Sequence, residues 1–392
     1  VRCHEHKYDP ITHEEYYGLY AYFNNVPEDG RALKLGNSPP YIPAPTPDQA
    51  RQLEALTARE DAARQAWSAM VGRAAEAQRE WEESATLAAT TEWTLTDGLD
   101  AWFQLDGGLA DEIDFERVLE LRSDGVLTTA RTEAVAAGDL TPSFAEAPTG
   151  AAAEFDGAAY LSAAGPGRFG YLDRFSVAAW VRPAENADGG IVSRMTDNTD
   201  TAGWGLHFRN GRVQVNLVSR WLDDSIRVET EVPLKADEWQ HVAMTYDGSR
   251  WASGVTVYID GEPAPLRVNL DALNQTFLQE EPLRIGSGGN QERFIGAIAD
   301  VRVYQRALSD REAKIVSVVE PINVLAQRAA VDRTAAQTAK LSEFFLTRAA
   351  ALDIRAAYAA MRDAETARDA FARKLPNTMV MAEREQRQQA HV

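Results

Sequence analysis

The spacing of hydrophobic residues divides the chain into helical zones and one strand-forming zone. Between residues 46 and 90, a hydrophobic residue recurs at steps of 3, 4 or 7 among charged neighbours: Leu53, Leu56, Ala63, Trp67, Met70, Ala74 and Trp81. Residues 307–374 repeat the pattern with Leu341, Phe345, Leu352, Ala356 and Ala359. Heptad spacing predicts amphipathic helices. Since neither helix can bury its apolar stripe alone, we predict that they pair as an antiparallel coiled-coil stalk. The alternative is two separate surface helices that pack on domains outside this chain.

The zone between the helices, residues 91–306, alternates with the period of 2 that is typical of strands. The strand candidates are Ala101–Leu105, Phe175–Val181, Val213–Leu217, His241–Tyr246, Val255–Ile259 and Phe294–Tyr304. The dipeptides between them, Asp156-Gly157, Asn210-Gly211, Asp247-Gly248 and Asp260-Gly261, favour tight hairpin turns. Many short strands without interleaved helices predict an antiparallel β-sandwich.

Capping signals mark the helix starts around this zone. Thr12 with Glu15, Thr46 with Gln49 and Ser309 with Glu312 each have the spacing of a capping box. A stretch rich in Pro and Ser, residues 36–47, indicates an extended linker. The predicted organisation is therefore residues 1–45, a first helical zone 46–90, a sandwich 91–306, a second helical zone 307–374 and a final segment 375–392.

Composition limits the possible partners. The chain has 392 residues, with 40 Lys and Arg against 59 Asp and Glu, and a formal net charge of −19. An acidic surplus of this size disfavours nucleic-acid binding, which needs cations against phosphates. No apolar run approaches the ~18–20 residues of a membrane span. We expect a globular protein without a nucleic-acid partner.

The first residues suggest a haem attachment site. Val1-Arg2-Cys3-His4 corresponds to the last four residues of C-x-x-C-H, in which two thiols attach haem c and the histidine ligates iron. A zinc site is the alternative. Cys3 is the single cysteine, which excludes an internal disulfide. Because residue 1 is Val, we interpret the chain as an internal piece of a longer protein.

The strand-forming zone resembles the laminin-G-like, concanavalin A-like sandwich family. The resemblance rests on residues 98–106, 155–161, 175–183, 239–248, 257–261 and 296–309, which include Phe155-Asp156-Gly157 and Tyr258-Ile259-Asp260-Gly261. It implies a jelly-roll fold. Many relatives bind Ca²⁺ between the first loop and the last strand, and the matching positions here are Asp106, Asp111 and Asp300. The alternative role for Asp300 is that of a structural hydrogen-bond acceptor.

The two ends resemble a narrower family, the large exported multidomain proteins of planctomycetes. Residues 2–11 and 16–28 are similar to the end of their cytochrome-like domain, and residues 375–381 to the start of their C-terminal domain of unknown function. The resemblance implies an exported protein, periplasmic or at the cell surface, with Cys3 as a haem thioether and His4 as the proximal ligand. His6 is a further candidate near the haem. The flanking domains of the parent protein would be its partners.

One acidic motif suggests catalysis. Glu112-Ile113-Asp114-Phe115-Glu116 resembles the active-site strand of laminarinase-like glycoside hydrolases, where Glu112 would be the nucleophile, Asp114 its assistant and Glu116 the acid/base. On a strand, alternation would put the three carboxylates on one face. The motif follows the first strand candidate too closely, however, to lie in a cleft built by several strands.

Aromatic residues in loop sequence are candidates for binding carbohydrate. Trp204, Trp221 and Trp251 could serve as platforms, with Asn216 and Arg220 as polar partners. Trp180 and Trp239 lie on strongly patterned strands and are expected in the core.

Three functions remain open on the sequence. The first is a non-catalytic recognition module for carbohydrate or an extracellular protein ligand, within a haem-associated exported protein. The second is an electron-transfer assembly in which the sandwich docks a polysaccharide substrate. The third is a glycoside hydrolase that uses Glu112, Asp114 and Glu116.

Overall fold

The alternating zone of the sequence forms two antiparallel sheets in the computed structural model, which describes residues 8, 10–24, 37, 40–84, 91–123, 142–185 and 187–381. In chain order the elements are α1 (His13–Asn24), β1 (Tyr41–Pro43), α2 (Pro47–Ser84), β2 (Leu99–Phe103), β3 (Glu120–Ser123), β4 (Ser143–Ala147), β5 (Gly150–Asp156), β6 (Ala159–Ala163), β7 (Phe175–Pro183), β8 (Gly189–Met195), β9 (Gly203–Arg209), β10 (Arg212–Arg220), β11 (Asp224–Thr230), β12 (Gln240–Tyr246), β13 (Val255–Ile259), β14 (Glu262–Pro263), β15 (Leu266–Asp271), β16 (Leu283–Ile285), β17 (Ile295–Tyr304), α3 (Asp310–Val316), α4 (Ile322–Gln327), α5 (Ala335–Phe344), α6 (Leu352–Ala372) and β18 (Asn377–Met379). The chain divides into two units, residues 1–72 with 352–392 and residues 73–351.

The first unit contains a pair of helices. The ring centroids of Trp67 in α2 and Tyr358 in α6 lie 5.1 Å apart. Arg368 donates through Nε to the Glu60 carboxylate at 2.8 Å. The residue numbers increase along α2, from Glu60 to Trp67, while those of their partners decrease along α6, from Arg368 to Tyr358. The two helices therefore run antiparallel. Glu60 is 5% exposed and occupies the heptad position between Leu56 and Ala63, where the pattern would otherwise have a hydrophobic residue. The hydrogen bond from Arg368 lowers the pKa of the Glu60 carboxyl.

The second helical zone is not one continuous helix, and that part of the stalk prediction is wrong. Residues 307–374 form α3, α4, α5 and α6 with breaks between them. Capping boxes at Ser309 and Thr334 begin α3 and α5, and Pro321 precedes α4. Ala350 adopts an extended backbone after a π-helical turn at residues 345–349 and separates α5 from α6. The local capping chemistry therefore outweighs the heptad spacing here.

The sandwich lies in the second unit. Sheet I has the strand order β15-β11-β10-β9-β8-β16-β6-β3, and sheet II has the order β14-β13-β12-β7-β17-β5-β4, with β2 paired to β17. The antiparallel sandwich and the six strand candidates are confirmed, with strand ends shifted by a few residues. Asn210 with Gly211 and Asp260 with Gly261 have positive φ angles at their hairpin turns, as these dipeptides favour.

Alternate side chains of both sheets fill the core between them. Phe175, Val177 and Val181 of β7 face Val215 and Leu217 of β10, together with many other side chains of 0% exposure. The opposite side chains of each strand therefore lie on the outer faces of the sandwich. We call these the outer face of sheet I and the outer face of sheet II.

Helices cover part of the outer face of sheet II. Ala178, Ala243 and Tyr304 of this face form one cluster with Ile315 and Val316 of α3, and Ala339 of α5 joins them. The Tyr304 hydroxyl also donates to the Leu95 carbonyl at 3.0 Å, which holds the segment before β2 against the same cluster. These helices thus bury the part of the outer face of sheet II that lies around Ala178, Ala243 and Tyr304.

The backbone of Gly167 lies so close to the ring of Trp204 that an added methyl group should reduce the stability of the fold. Gly167 has φ +76°, and a Cβ there would lie 2.7 Å from Cζ2 of the buried Trp204. We expect Gly167→Ala to lower the free energy of unfolding by about 2–4 kcal/mol through overpacking and backbone strain. The control is Gly211→Ala, which has φ +77° and only an ordinary contact of 3.6 Å. Urea denaturation compares the two variants, and an equal loss of stability would contradict the packing argument.

Candidate functional site

The outer face of sheet I carries a polar group of side chains across neighbouring strands. On β9, β10 and β11 the core takes Leu206, Val215 and Val228, so His207, Gln214, Asn216, Arg227 and Glu229 lie on the outer face. The register pairs Asn216 with Arg227 and Gln214 with both His207 and Glu229. These positions are therefore immediate cross-strand neighbours.

Asn216 is buried within this group although it lies on the outer face. It is 1% exposed, and its Nδ2 lies 3.2 Å from both Nδ1 of His207 and Oε1 of Gln214. Its Oδ1 accepts no hydrogen bond from the described residues. A buried acceptor without a partner costs about 1–3 kcal/mol. Asn216 thus retains one acceptor position that a ligand donor can satisfy.

Arg227 provides a matching donor on the next strand. Its Nε has no acceptor among the described residues, and its guanidinium lies 4.5 Å from the ring centroid of Trp221. Burial lowers the pKa of Arg227. Trp221 belongs to the turn that joins β10 to β11, where its carbonyl accepts from the Ser225 hydroxyl at 3.4 Å. We call Asn216, Arg227 and Trp221 the hairpin site.

The structure therefore unites two of the five residues proposed to bind ligand. Asn216 and Trp221 belong to the hairpin site, whereas Arg220 is an exposed neighbour that pairs with Asp223. The platform role proposed for Trp204 is wrong, because this side chain is 1% exposed in the core and its Nε1 donates to the Gly167 carbonyl at 2.8 Å. Trp251 lies outside the β10–β11 hairpin, next to a 3₁₀ turn at residues 252–254.

Sequence reasoning missed Arg227, His207 and Gln214 in this group. The period-2 pattern of β10 and β11 contained the signal, because it places Gln214 and Asn216 opposite the apolar positions of β10. What the pattern did not contain was the register between the strands, which decides that Asn216 faces Arg227.

Trp180 and Trp239 lie outside the main core, so the expectation for them is wrong. Both are half-buried on the outer face of sheet II, where they pack against Ala152, Ala297 and Ala299. Trp239 donates through Nε1 to the Glu146 carbonyl at 3.2 Å, and Arg182 lies over its ring at 5.3 Å. Small alanines beneath the two rings allow tryptophan at surface positions of strands.

Two of the three aspartates proposed for calcium have protein partners instead. Asp111 is 0% exposed and accepts from the Trp102 amide at 3.0 Å and from Arg117 at 2.5 Å. Asp300 accepts from Trp102 Nε1 at 2.6 Å and pairs with Arg302 at 2.9 Å, which is the alternative role of a hydrogen-bond acceptor. Asp106 is exposed. Across the described ranges, no group of three or more His, Cys, Asp or Glu has the geometry to hold a metal ion, so these three aspartates do not form the predicted site.

The acidic motif does not form the strand that the hydrolase alternative needs. Residues 111–117 form a loop, in which Asp114 accepts from the Glu116 amide at 3.3 Å and its carbonyl accepts from the Arg117 amide at 2.8 Å. The expectation that Glu112, Asp114 and Glu116 share one strand face is therefore wrong, because the turn breaks the alternation.

The haem prediction concerns Cys3, His4 and His6, which lie outside the described residues. Among the helices of the described part, none is long and apolar enough to cross a membrane.

Comparison with known families identifies two segments. Residues 155–314 match the model described as Concanavalin A-like lectin/glucanases superfamily, which covers most of the sandwich. Residues 1–28 match a model described as Protein of unknown function (DUF1549). A curated relative, the Adhesion G-protein coupled receptor V1 of Danio rerio, is 26% identical over 144 residues. That match covers 35% of this chain and 2% of the receptor.

The chain is also similar to three solved structures. The binding domain of Paraclostridial Mosquitocidal Protein 1 has 14% identity and a TM-score of 0.42, and the match covers 56% of this chain and 52% of that one. Domain 4 of AbnA, an extracellular arabinanase from Geobacillus stearothermophilus in complex with arabinotriose, has 16% identity and a TM-score of 0.36, covering 55% and 96%. The ligand-binding domain of Botulinum neurotoxin serotype D in complex with N-acetylneuraminic acid has 15% identity and a TM-score of 0.38, covering 56% and 50%.

The buried histidine beside the hairpin site predicts a loss of stability in acid. Burial, with a smaller contribution from repulsion by Arg209, lowers the pKa of His207 from 6.5 to about 4. Below pH 6.5 the unfolded chain therefore binds a proton that the folded chain does not, so this group reduces stability as pH falls toward 4. Between pH 7 and pH 5 we expect His207 to contribute a loss of about 2 kcal/mol.

Between pH 7 and pH 5, the free energy of unfolding of the variant His207→Gln should fall by about 2 kcal/mol less than that of the unchanged protein. Urea denaturation at pH 7 and pH 5 measures the free energy of unfolding of both proteins. The change between the two pH values is compared within each protein, so any destabilisation by the substitution at pH 7 does not affect the comparison. Identical pH dependence in the two proteins would contradict the prediction.

Proposed function

We propose that this chain, whose residues 155–314 belong to the Concanavalin A-like lectin/glucanases superfamily, is a non-catalytic recognition module that binds carbohydrate at the hairpin site. Since one fold hosts many functions, the proposal rests on the site rather than on the superfamily. The observation that carries it is a pair of polar atoms on paired strands, Asn216 Oδ1 and Arg227 Nε, which have no partner among the described residues, with the ring of Trp221 against Arg227.

The chemistry of this pair suits a hydroxyl group. A sugar hydroxyl can donate to Asn216 Oδ1 and accept from Arg227 Nε at the same time, which satisfies both atoms. Trp221 then supplies an apolar surface for the C–H face of the sugar ring. Binding would recover hydrogen bonds that the folded protein lacks, so the free protein is prepared for a ligand with a polar edge and an apolar face.

Access to the pair depends on Trp221. The two unpartnered atoms have almost no exposure, and the Trp221 ring lies over Arg227. Trp221 is held by a short turn whose next residue, Leu222, is 85% exposed. We infer that the ring moves off Arg227 and stacks on the sugar when ligand binds.

The wider assembly is also a proposal. The match of residues 1–28 and the resemblance of both chain ends support an exported parent protein that carries haem c through Cys3 and His4. In that setting the sandwich would hold a polysaccharide or another cell-surface ligand near the parent's flanking domains. A haem-stained gel of the parent protein, with Cys3→Ala as the comparison, tests the haem attachment.

Glycan-array binding of the full chain tests recognition. We expect a bound glycan, and we expect Asn216→Ala and Trp221→Ala each to weaken its binding about tenfold or more, since each removes a direct contact. The matched control is Leu222→Ala, which changes the neighbouring residue of the same turn. It should retain binding.

Circular dichroism of each variant confirms that the sandwich is folded before binding is compared. If no glycan binds, or if Leu222→Ala reduces binding as much as Trp221→Ala does, the hairpin site is not a carbohydrate site.

A further inference from the structure

A cleft opens where the helical cover meets the sandwich, within the second unit. Its volume is about 610 Å³, which is in the range of small-molecule sites. The floor is formed by buried side chains: Asp300 and Arg302 of β17 and Lys340 of α5. Exposed residues, among them Glu92 and Arg348, form the mouth. The cleft thus combines a buried polar floor with an open entrance.

The floor has more positive than negative charge. Arg302 forms an ion pair with Asp300 at 2.9 Å and also donates to the Thr94 hydroxyl, so this pair is nearly neutral. Lys340 is 3% exposed and forms no salt bridge with a carboxylate of the described residues. Its Nζ donates to the carbonyls of Val318 at 2.8 Å and Glu320 at 3.0 Å. Among the described residues, its third N–H has no acceptor.

The charge on Lys340 is only partly compensated at this buried position, by attraction from Glu92, Glu320 and Asp300. Burial, followed by repulsion from Arg302, lowers the pKa of Lys340 to about 8. An anion in the cleft would accept the third N–H and stabilise the ammonium form. The charged side chains that line the cleft are Arg302, Lys340 and Arg348 against Glu92 and Asp300, and this excess of one positive charge favours a monoanion such as a carboxylate over a doubly charged phosphate.

The walls of the cleft are apolar and partly aromatic. Trp93, Trp102, Val319 and Pro321 line it, and the Arg302 guanidinium stacks over the Trp102 ring at 4.8 Å. Aromatic and apolar side chains beside a buried ammonium group can recognise a ligand with an apolar body and a single charged group.

We propose that this cleft is a second ligand site, separate from the hairpin site, which binds a small aromatic carboxylic acid with its carboxylate on Lys340. The ligand body lies between Trp93 and Trp102, and Arg348 at the mouth attracts the anion. This site does not depend on the carbohydrate proposal, because it lies on sheet II and uses none of the residues of the hairpin site.

Isothermal titration calorimetry of the full chain with 3-phenylpropionate tests the proposal at pH 7. We expect one site per chain with a dissociation constant of about 1 mM or tighter. The neutral analogue 3-phenylpropionamide should bind about tenfold more weakly or not at all, because it cannot pair with the ammonium group. Phenyl phosphate provides the dianion comparison and should bind less tightly than the carboxylate.

Two variants locate the binding. Lys340→Met should weaken 3-phenylpropionate about tenfold or more by removing the ammonium group. Because this change also removes two hydrogen bonds to the backbone, Val319→Trp provides a second test that fills the cleft and leaves Lys340 in place. Arg373→Gln is the control, since it removes an exposed arginine in the first unit. It should leave binding unchanged.

The proposal is overturned if 3-phenylpropionate does not bind at about 10 mM, a hundredfold excess over a useful protein concentration. It is also overturned if the amide binds as tightly as the acid, if phenyl phosphate binds more tightly than the carboxylate, or if Val319→Trp leaves the affinity unchanged.

Discussion

The alternation of side chains along the strands is the constraint on which the rest of this structure depends. Each strand of sheet I and sheet II commits one set of side chains to a shared core, in which Phe175, Val177, Val215 and Leu217 are fully buried. The other set must then lie on an outer face. On sheet I that face carries the polar group around Asn216, and on sheet II it carries the alanines beneath Trp180 and Trp239 and the helices that border the cleft.

The outer faces hold polar groups whose hydrogen bonding is incomplete. A buried group without a partner reduces stability, and such groups are therefore uncommon in folded proteins. Among the described residues, Asn216 Oδ1 and Arg227 Nε have no hydrogen-bond partner, and the buried Lys340 forms no salt bridge with a carboxylate. By contrast, the polar groups with complete partners serve the fold: Asp111 holds the first loop, and Asp300 joins β2 to β17.

Sequence reasoning succeeded where a local pattern carried the information. Heptad spacing located α2, and capping boxes located the starts of α1, α2 and α3. Reasoning from loop composition was less successful, because Trp204 lies on a strand and faces the core. The same limit applies to the acidic motif. Its alternation of acidic and apolar residues suggested a strand, but the backbone forms a turn at Asp114. The helical zone after the sandwich was also misjudged, since heptad spacing persists across the break at Ala350.

The amino-acid sequence by itself determined the period of each zone, and with it the sandwich class and the helical flanks, because side-chain periodicity is a property of neighbouring residues. Only the tertiary structure decided which polar residues meet. The pairing of Asn216 with Arg227 depends on the β10–β11 register, and the approach of Lys340 to Arg302 depends on how α5 lies over sheet II. Register and helix docking join residues that are distant along the chain, and they follow from the packing of the whole core rather than from any local pattern.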